Sequence, residues 1–170
     1  MDVFCEQIVK QSMTAKRVLV VIGAVVVLLG ACAASLIFLP MAFLPIAAFS
    51  GFGIYWVASM QSTEVEYEVT NGEIDIDQIV ARRERKKIVR VRGAKLDFLL
   101  PVAQVPSDMK FDRIVMAARS KNQATWAFAY QGKKGYTLVL FEPSREVLEA
   151  LCKGLSREVR IETDRARREM

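Results

Sequence analysis

The chain has 170 residues, 52% of them hydrophobic and 25% charged, with a formal net charge of +5 and no histidine. Residues 18–63 carry no charge, five charged residues precede them and the rest follow; this division excludes both a single water-soluble globule and a disordered chain. Without histidine, Ser–His–Asp and Cys–His catalysis and histidine metal sites are excluded, and Cys5, Cys32 and Cys152 lie too far apart for a zinc knuckle or a redox CxxC pair.

In chain order, residues 1–17 come first, as an amphipathic N-terminal segment. Phe4, Ile8 and Val9 recur at helical spacing among Asp2, Glu6 and Lys10, which predicts a helical turn at a membrane interface running into the apolar stretch. That stretch is too long for one span, which needs about 17–25 apolar residues. It fits two, at 18–39 and 41–60. Pro40 and Pro45 forbid one straight helix, and Pro45 suits a first helical turn, so 18–63 reads as a transmembrane two-helix hairpin turning near 40–45. Lys10, Lys16 and Arg17 precede the pair, a basic cluster starting at Arg82 follows it, and the turn holds neither Lys nor Arg. The positive-inside rule then gives a two-span protein of the cell membrane with both termini cytoplasmic. Tyr55 and Trp56 suit an interfacial aromatic anchor.

Nothing in the spans is ionisable, so no proton relay, ion path or voltage sensor is readable. Gly30 with Ala34, and Ala47 with Gly51, place small residues four apart, as candidates for helix packing within the hairpin or against other spans. A competing reading starts from Leu29, Gly30, Ala31 and Cys32, which resemble the lipobox at which a lipoprotein precursor is cut before a lipidated cysteine. The residues after Cys32 stay apolar where a lipoprotein has a polar tether, which favours the hairpin.

From Glu64 the period becomes two. Val65, Tyr67 and Val69 alternate with Glu64, Glu66 and Glu68, and Asn71-Gly72 is a strong signal for a two-residue hairpin turn. Ile74 and Ile76 then alternate with Glu73, Asp75 and Asp77, in a register that puts Val69 opposite Ile74 and Tyr67 opposite Ile76. Further strands are predicted at 87–92, 95–102, 113–119, 124–131 and 136–142, the last two joined through Gly132 and Gly135. Pro143 and Ser144 open a helix with Leu148, Leu151, Cys152 and Leu155 on one face, and Gly154 is placed to end it. Residues 160–170 form a charged tail, either a solvated extension of that helix or disordered. The expected fold is therefore α+β: a transmembrane hairpin, then a seven-stranded β-barrel or sandwich of the pleckstrin-homology-like (PH-like) kind over 64–159, closed by a C-terminal helix.

Longer strings agree with this order. The start Met-Asp-Val-Phe-Cys-Glu-Gln-Ile-Val-Lys, the paired spans, Val-Glu-Tyr-Glu-Val-Thr-Asn-Gly-Glu-Ile-Asp-Ile-Asp at 65–77, the Arg/Lys run to Lys87 and Leu-Phe-Glu-Pro at 140–143 resemble an uncharacterised family of small membrane proteins of Gram-positive bacteria. The resemblance covers nearly the whole chain. It implies two spans and a C-terminal PH-like domain in the cytoplasm, and brings no activity and no catalytic residues.

Arg82, Arg83, Arg85, Lys86 and Lys87 are the candidates for contact with anionic lipid head groups, each worth about 1 kcal/mol near such a surface. Nucleic acid is the less favoured polyanion. Arg90 and Arg92 are expected to point outward beside the acids of the first two strands, where like charges would otherwise oppose each other. A phosphoinositide site of the PH kind needs a long basic first loop, and here that loop is Asn71-Gly72 alone. Trp126, Phe128 and Tyr130 read as a core-facing strand. By analogy with PH-like folds, a protein partner has a groove to use between the fifth strand and the C-terminal helix. No P-loop, GxGxxG or GxSxG is present. The sequence therefore leads to a non-enzymatic, membrane-anchored binding or scaffold module with no catalytic, metal or cofactor residues. The alternative is an accessory subunit packed into a larger membrane complex through its hairpin.

Overall fold

The computed structural model describes residues 4–81, 83–120, 122, 124–133 and 135–169, and the chain divides into two compact units. One comprises Ser12–Thr63 with Val80–Glu84, the other Met1–Gln11, Glu64–Ile79 and Arg85–Met170.

The first unit is a helix pair. Helix α1 (Ala15–Phe38) ends at Leu39, whose φ of −144° and ψ of 65° are non-helical, as steric conflict with the ring of Pro40 dictates. A short 3-10 turn, Pro40–Ala42, leads into α2 (Phe43–Met60), which carries Pro45 in its first turn. Both helical stretches are long and apolar enough to cross a membrane, with mean hydropathies of 2.8 and 1.6. The residues buried along the pair are Ser35 and Ser50, and Leu28 lies over Gly53, where a Cβ would sit 3.3 Å from Leu28 Cδ1. The apolar side chains that face outward are many and large; Ile37 is 75% exposed and Phe49 77%.

The second unit is two four-stranded sheets. Strands β1 (Phe4–Lys10), β2 (Thr63–Thr70), β3 (Glu73–Val80) and β4 (Glu84–Arg92) lie side by side in that order, and the other sheet runs β5-β7-β8-β6. Its members are β5 (Phe98–Pro101), β6 (Arg113–Met116), β7 (Trp126–Gly132) and β8 (Gly135–Phe141). Of the expected seven-stranded barrel or sandwich, the closed barrel and the count are corrected: the described residues form eight strands in two open, packed sheets. The added strand is β1, where the sequence reading had a helical turn. It pairs antiparallel with β2 from Phe4↔Thr70 to Lys10↔Glu64, so the helix pair is an insertion between two neighbouring strands. The spacing of Phe4, Ile8 and Val9 fits a helix, but in the strand Val9 turns into the core while Phe4 and Ile8 stay exposed on the other face. The pairing partner, more than fifty residues away, decides between them.

The rest of the order follows the alternation. Asn71 (φ 50°) and Gly72 (φ 79°) make the β2–β3 turn with the positive φ that a two-residue hairpin requires. Val65, Tyr67, Val69, Ile74 and Ile76 are fully buried and meet Leu99, Phe128, Val139 and Phe141 of the facing sheet in one core. Strand β6 runs parallel to β8, from Arg113↔Thr137 to Met116↔Leu140, and is shorter than the sequence predicts. The predicted strand at 95–102 contracts to β5 between two 3-10 turns, Gly93–Lys95 and Val102–Gln104.

Two helices end the chain where one was expected. Ser144 caps α3 (Arg145–Cys152) by accepting from the Val147 N–H at 3.2 Å, and α3 packs Val147, Leu148 and Leu151 into the core. Gly154 then passes so close to Gly72 that a Cβ on it would overlap the Gly72 backbone, which fixes where the chain must turn. Ser156 opens α4 (Arg157–Arg168). The tail is thus neither a solvated extension nor disordered over that range. Val159, Thr163 and Ala166 recur on one face and are buried, Thr163 donates to the Leu99 carbonyl at 2.8 Å, and Ala166 covers Phe98, Leu100, Ala127 and Ala129 in a second apolar cluster.

Candidate functional site

The outer face of the first sheet gathers most of the charges singled out in the sequence. The acids stand on β2 and β3, and β4 brings its basic residues alongside them. Arg85 holds Glu66 at 3.0 Å, Lys87 holds Asp75 at 2.9 Å, and Arg90 holds Glu73 at 2.5 Å. Arg90 also lies 3.6 Å from Asp75, and Arg92 3.9 Å from Glu73. The Arg90 hydrogen bond, with Arg92 and Lys87 nearby, keeps the Glu73 carboxyl below its ordinary range. Most of these pairs are open to solvent, where screening leaves each only a small contribution to stability.

Glu66 differs. Its side chain is only 5% exposed, and the carboxyl of Glu6 on β1 is among the like charges that act on it. Burial first, then Glu6, push the Glu66 carboxyl up despite the attraction of Arg85.

The five residues proposed for lipid contact therefore have different surroundings. Arg82 lies outside the described residues. Arg85 and Lys87 are engaged by Glu66 and Asp75, while Lys86 is exposed and has no ion-pair partner among the described residues. Arg83 belongs to the helical unit: its guanidinium lies over the Trp56 ring, 5.0 Å from the centroid, at the C-terminal end of α2. In the same unit Arg17 donates to Thr63 Oγ1 at 2.6 Å, and the Ala81 N–H donates to the Ser62 carbonyl at 2.8 Å. Both ends of the helix pair thus carry an arginine, one of them stacked on an aromatic ring.

Of the four small residues on the helices, Ala47 is half-buried and the other three face outward. A Cβ at Gly30 or at Gly51 would meet nothing within 4 Å, and Gly30, Ala34 and Gly51 are exposed. Ser35 and Ser50 are the buried residues of α1 and α2, and Leu28 of α1 meets Gly53 of α2.

The sequence reading missed the polar ties that hold β1 and the second sheet together. Gln7 donates from Nε2 to the Glu142 carbonyl (3.0 Å) and accepts from the Ser144 N–H (2.6 Å). The fully buried Tyr67 hydroxyl donates to the Ala117 carbonyl (2.8 Å) and accepts from the Glu142 N–H (3.3 Å), and burial pushes it up to about 12. Alternation marks Tyr67 as inward-facing but cannot supply its partners. The three cysteines are free, and burial pushes the Cys5 and Cys152 thiols up. Among the described residues no group of three or more His, Cys, Asp or Glu is arranged to hold a metal ion.

Two packed sheets with a C-terminal helix sealed into their core define a PH-like module, a class that binds and scaffolds and does not catalyse. The chain belongs to the bacterial PH-like domain family (DUF6106), whose family model matches residues 1–161. That match takes in β1 and the helix pair as well as the sheets. No curated protein and no solved structure matches the chain.

Proposed function

We propose that the chain is a membrane-anchored binding module: α1 and α2 cross the bilayer and the PH-like domain works at its cytoplasmic face. The observation that carries this reading is the β1–β2 pairing. The chain leaves the sheet at Lys10 and returns at Glu64, its Cα partner, so whatever lies between must start and finish on one side. Two apolar helices meet that condition with an even number of crossings, and their exposed apolar surface calls for lipid cover. Lys16, Arg17 and Arg83 then stand with Tyr55 and Trp56 at the polar boundary, which fits basic and aromatic anchors at an anionic leaflet. Lipid contact falls best to Arg83 and Lys86; Arg85 and Lys87 are better explained by their acidic partners.

Flotation with vesicles tests it. The full chain should float with vesicles of any charge and withstand high salt and carbonate. Arg83→Glu with Lys86→Glu should remove only the additional preference for anionic vesicles. Release of the full chain by carbonate would sink the anchor. A second reading, an accessory subunit of a larger membrane complex, is favoured by the outward placement of Gly30 and Gly51. In that case defined spans co-purify in mild detergent and are lost in Gly30→Leu with Gly51→Leu.

A further inference from the structure

An open cleft of about 660 Å³ lies between β4 and the tip of the β7–β8 hairpin, all within the second unit. Three consecutive residues of β4 line it, Arg90, Val91 and Arg92. Successive strand residues point to opposite faces, so a cleft that touches all three runs along the edge of the strand. β4 is the last strand of its sheet, and among the described residues no strand lies beside this edge. On the other side of the cleft stand Tyr130 and Lys133, with Lys95 and Arg113 completing the rim.

The charges are unbalanced. Arg90 and Arg92 are occupied by Glu73 and Asp75, but Lys95, Arg113 and Lys133 form no ion pair among the described residues. Glu73 is the one acid among the described lining residues. A free strand edge beside unpaired cations resists pairing with a second copy of itself through like-charge repulsion. It favours an acidic strand.

We infer that this cleft takes an extended acidic segment of a partner protein, which adds its main chain to β4 and sets its carboxylates on Lys95, Arg113 and Lys133. A compact anion would satisfy the cations and leave the strand edge unpaired; an acidic strand satisfies both. Tyr130, half-buried at the wall, offers an apolar surface for a side chain between the carboxylates. This inference stands apart from membrane insertion and is tested in detergent, so its failure is distinguishable from failure of the anchor reading.

The test uses the purified full chain in neutral detergent and a fluorescent peptide of alternating Glu and Val, followed by anisotropy. The peptide should bind and weaken with added salt. Binding should fall about tenfold or more in Lys95→Glu/Arg113→Glu/Lys133→Glu, and likewise when alternate amides of the peptide are N-methylated. Because three reversals could disturb folding, Lys95→Gln with Lys133→Gln, at two exposed positions, should weaken binding in the same direction with an unchanged melting temperature. The inference is overturned by no binding, by equal binding of the N-methylated peptide, or by indifference to the rim substitutions. It is equally overturned if inositol hexakisphosphate or anionic vesicles engage these cations while the peptide does not.

Discussion

At the scale of single residues, a few buried polar groups fix how the apolar core of the PH-like unit is tied together. The Tyr67 hydroxyl ties β2 to the Ala117 carbonyl and the Glu142 N–H, two main-chain groups beyond the ends of β6 and β8. Tyr67→Phe keeps the ring and its edge-on contact with Phe141 but strands both partners in the interior. The expected cost is about 1–3 kcal/mol in denaturant unfolding, the desolvation penalty of buried groups left unpaired. Glu66 acts in the opposite direction. Its carboxyl titrates above the ordinary value of 4.5, so the folded state holds a proton that the unfolded chain has released. Its contribution is therefore fully present below pH 4.5 and is lost as pH rises through the raised folded value. Glu73 has a lowered value, so its contribution holds above pH 4.5 and disappears as pH falls through the folded value. Glu66→Gln should thus raise the melting temperature at pH 7 and leave it nearly unchanged below pH 4.5. A variant that melts lower than the parent at pH 7 would show that the Arg85 pair outweighs burial.

The same residues show what the sequence could say. Opposed acids on β2 and β3 announced a need for cations, and strict alternation from Val89 and Val91 put Arg90 and Arg92 in place. Arg85 and Lys87 were not legible in that way. Ile88 and Val89 are consecutive yet both pack on the core, so the alternation shifts by one and carries the earlier basic residues onto the acidic face. Local period cannot reveal such a shift.

At the scale of elements, patterns within ten residues were readable and long-range pairings were not. The Asn71-Gly72 hairpin, the two apolar helices and the capped α3 all follow from local chemistry. Strand β1 does not, because Phe4, Ile8 and Val9 follow a helical period and only the distant pairing with β2 overrides it. The last helix shows the same limit: Val159, Thr163 and Ala166 are too few and too small to stand out among the arginines, and the sheet surface they cover decides the matter. The placement of β1 has a direct consequence. A fragment of residues 64–170 loses β1 and exposes the bare edge of β2, so it should aggregate. Because Lys10 and Glu64 are paired, joining them through Asn-Gly in place of residues 11–63 should close an ordinary hairpin and give a soluble domain with a cooperative melt. Equal solubility and stability of the two products would place β1 outside the fold.

For the whole molecule, the proposal to test is that the two-helix insertion between β1 and β2 crosses the membrane, with the basic flanks setting both of its ends, and the PH-like domain, on the cytoplasmic side. The lipobox reading makes a different molecule from the same residues, cut before Cys32 and held outside the cell. An epitope tag after Met170, protease-treated in intact wall-stripped cells, separates the two when the intact mass is read alongside. The tag should stay protected until the membrane is opened, on a chain of full-length mass. A tag digested on intact cells, or a lipid-shifted mass beginning at Cys32, would contradict it.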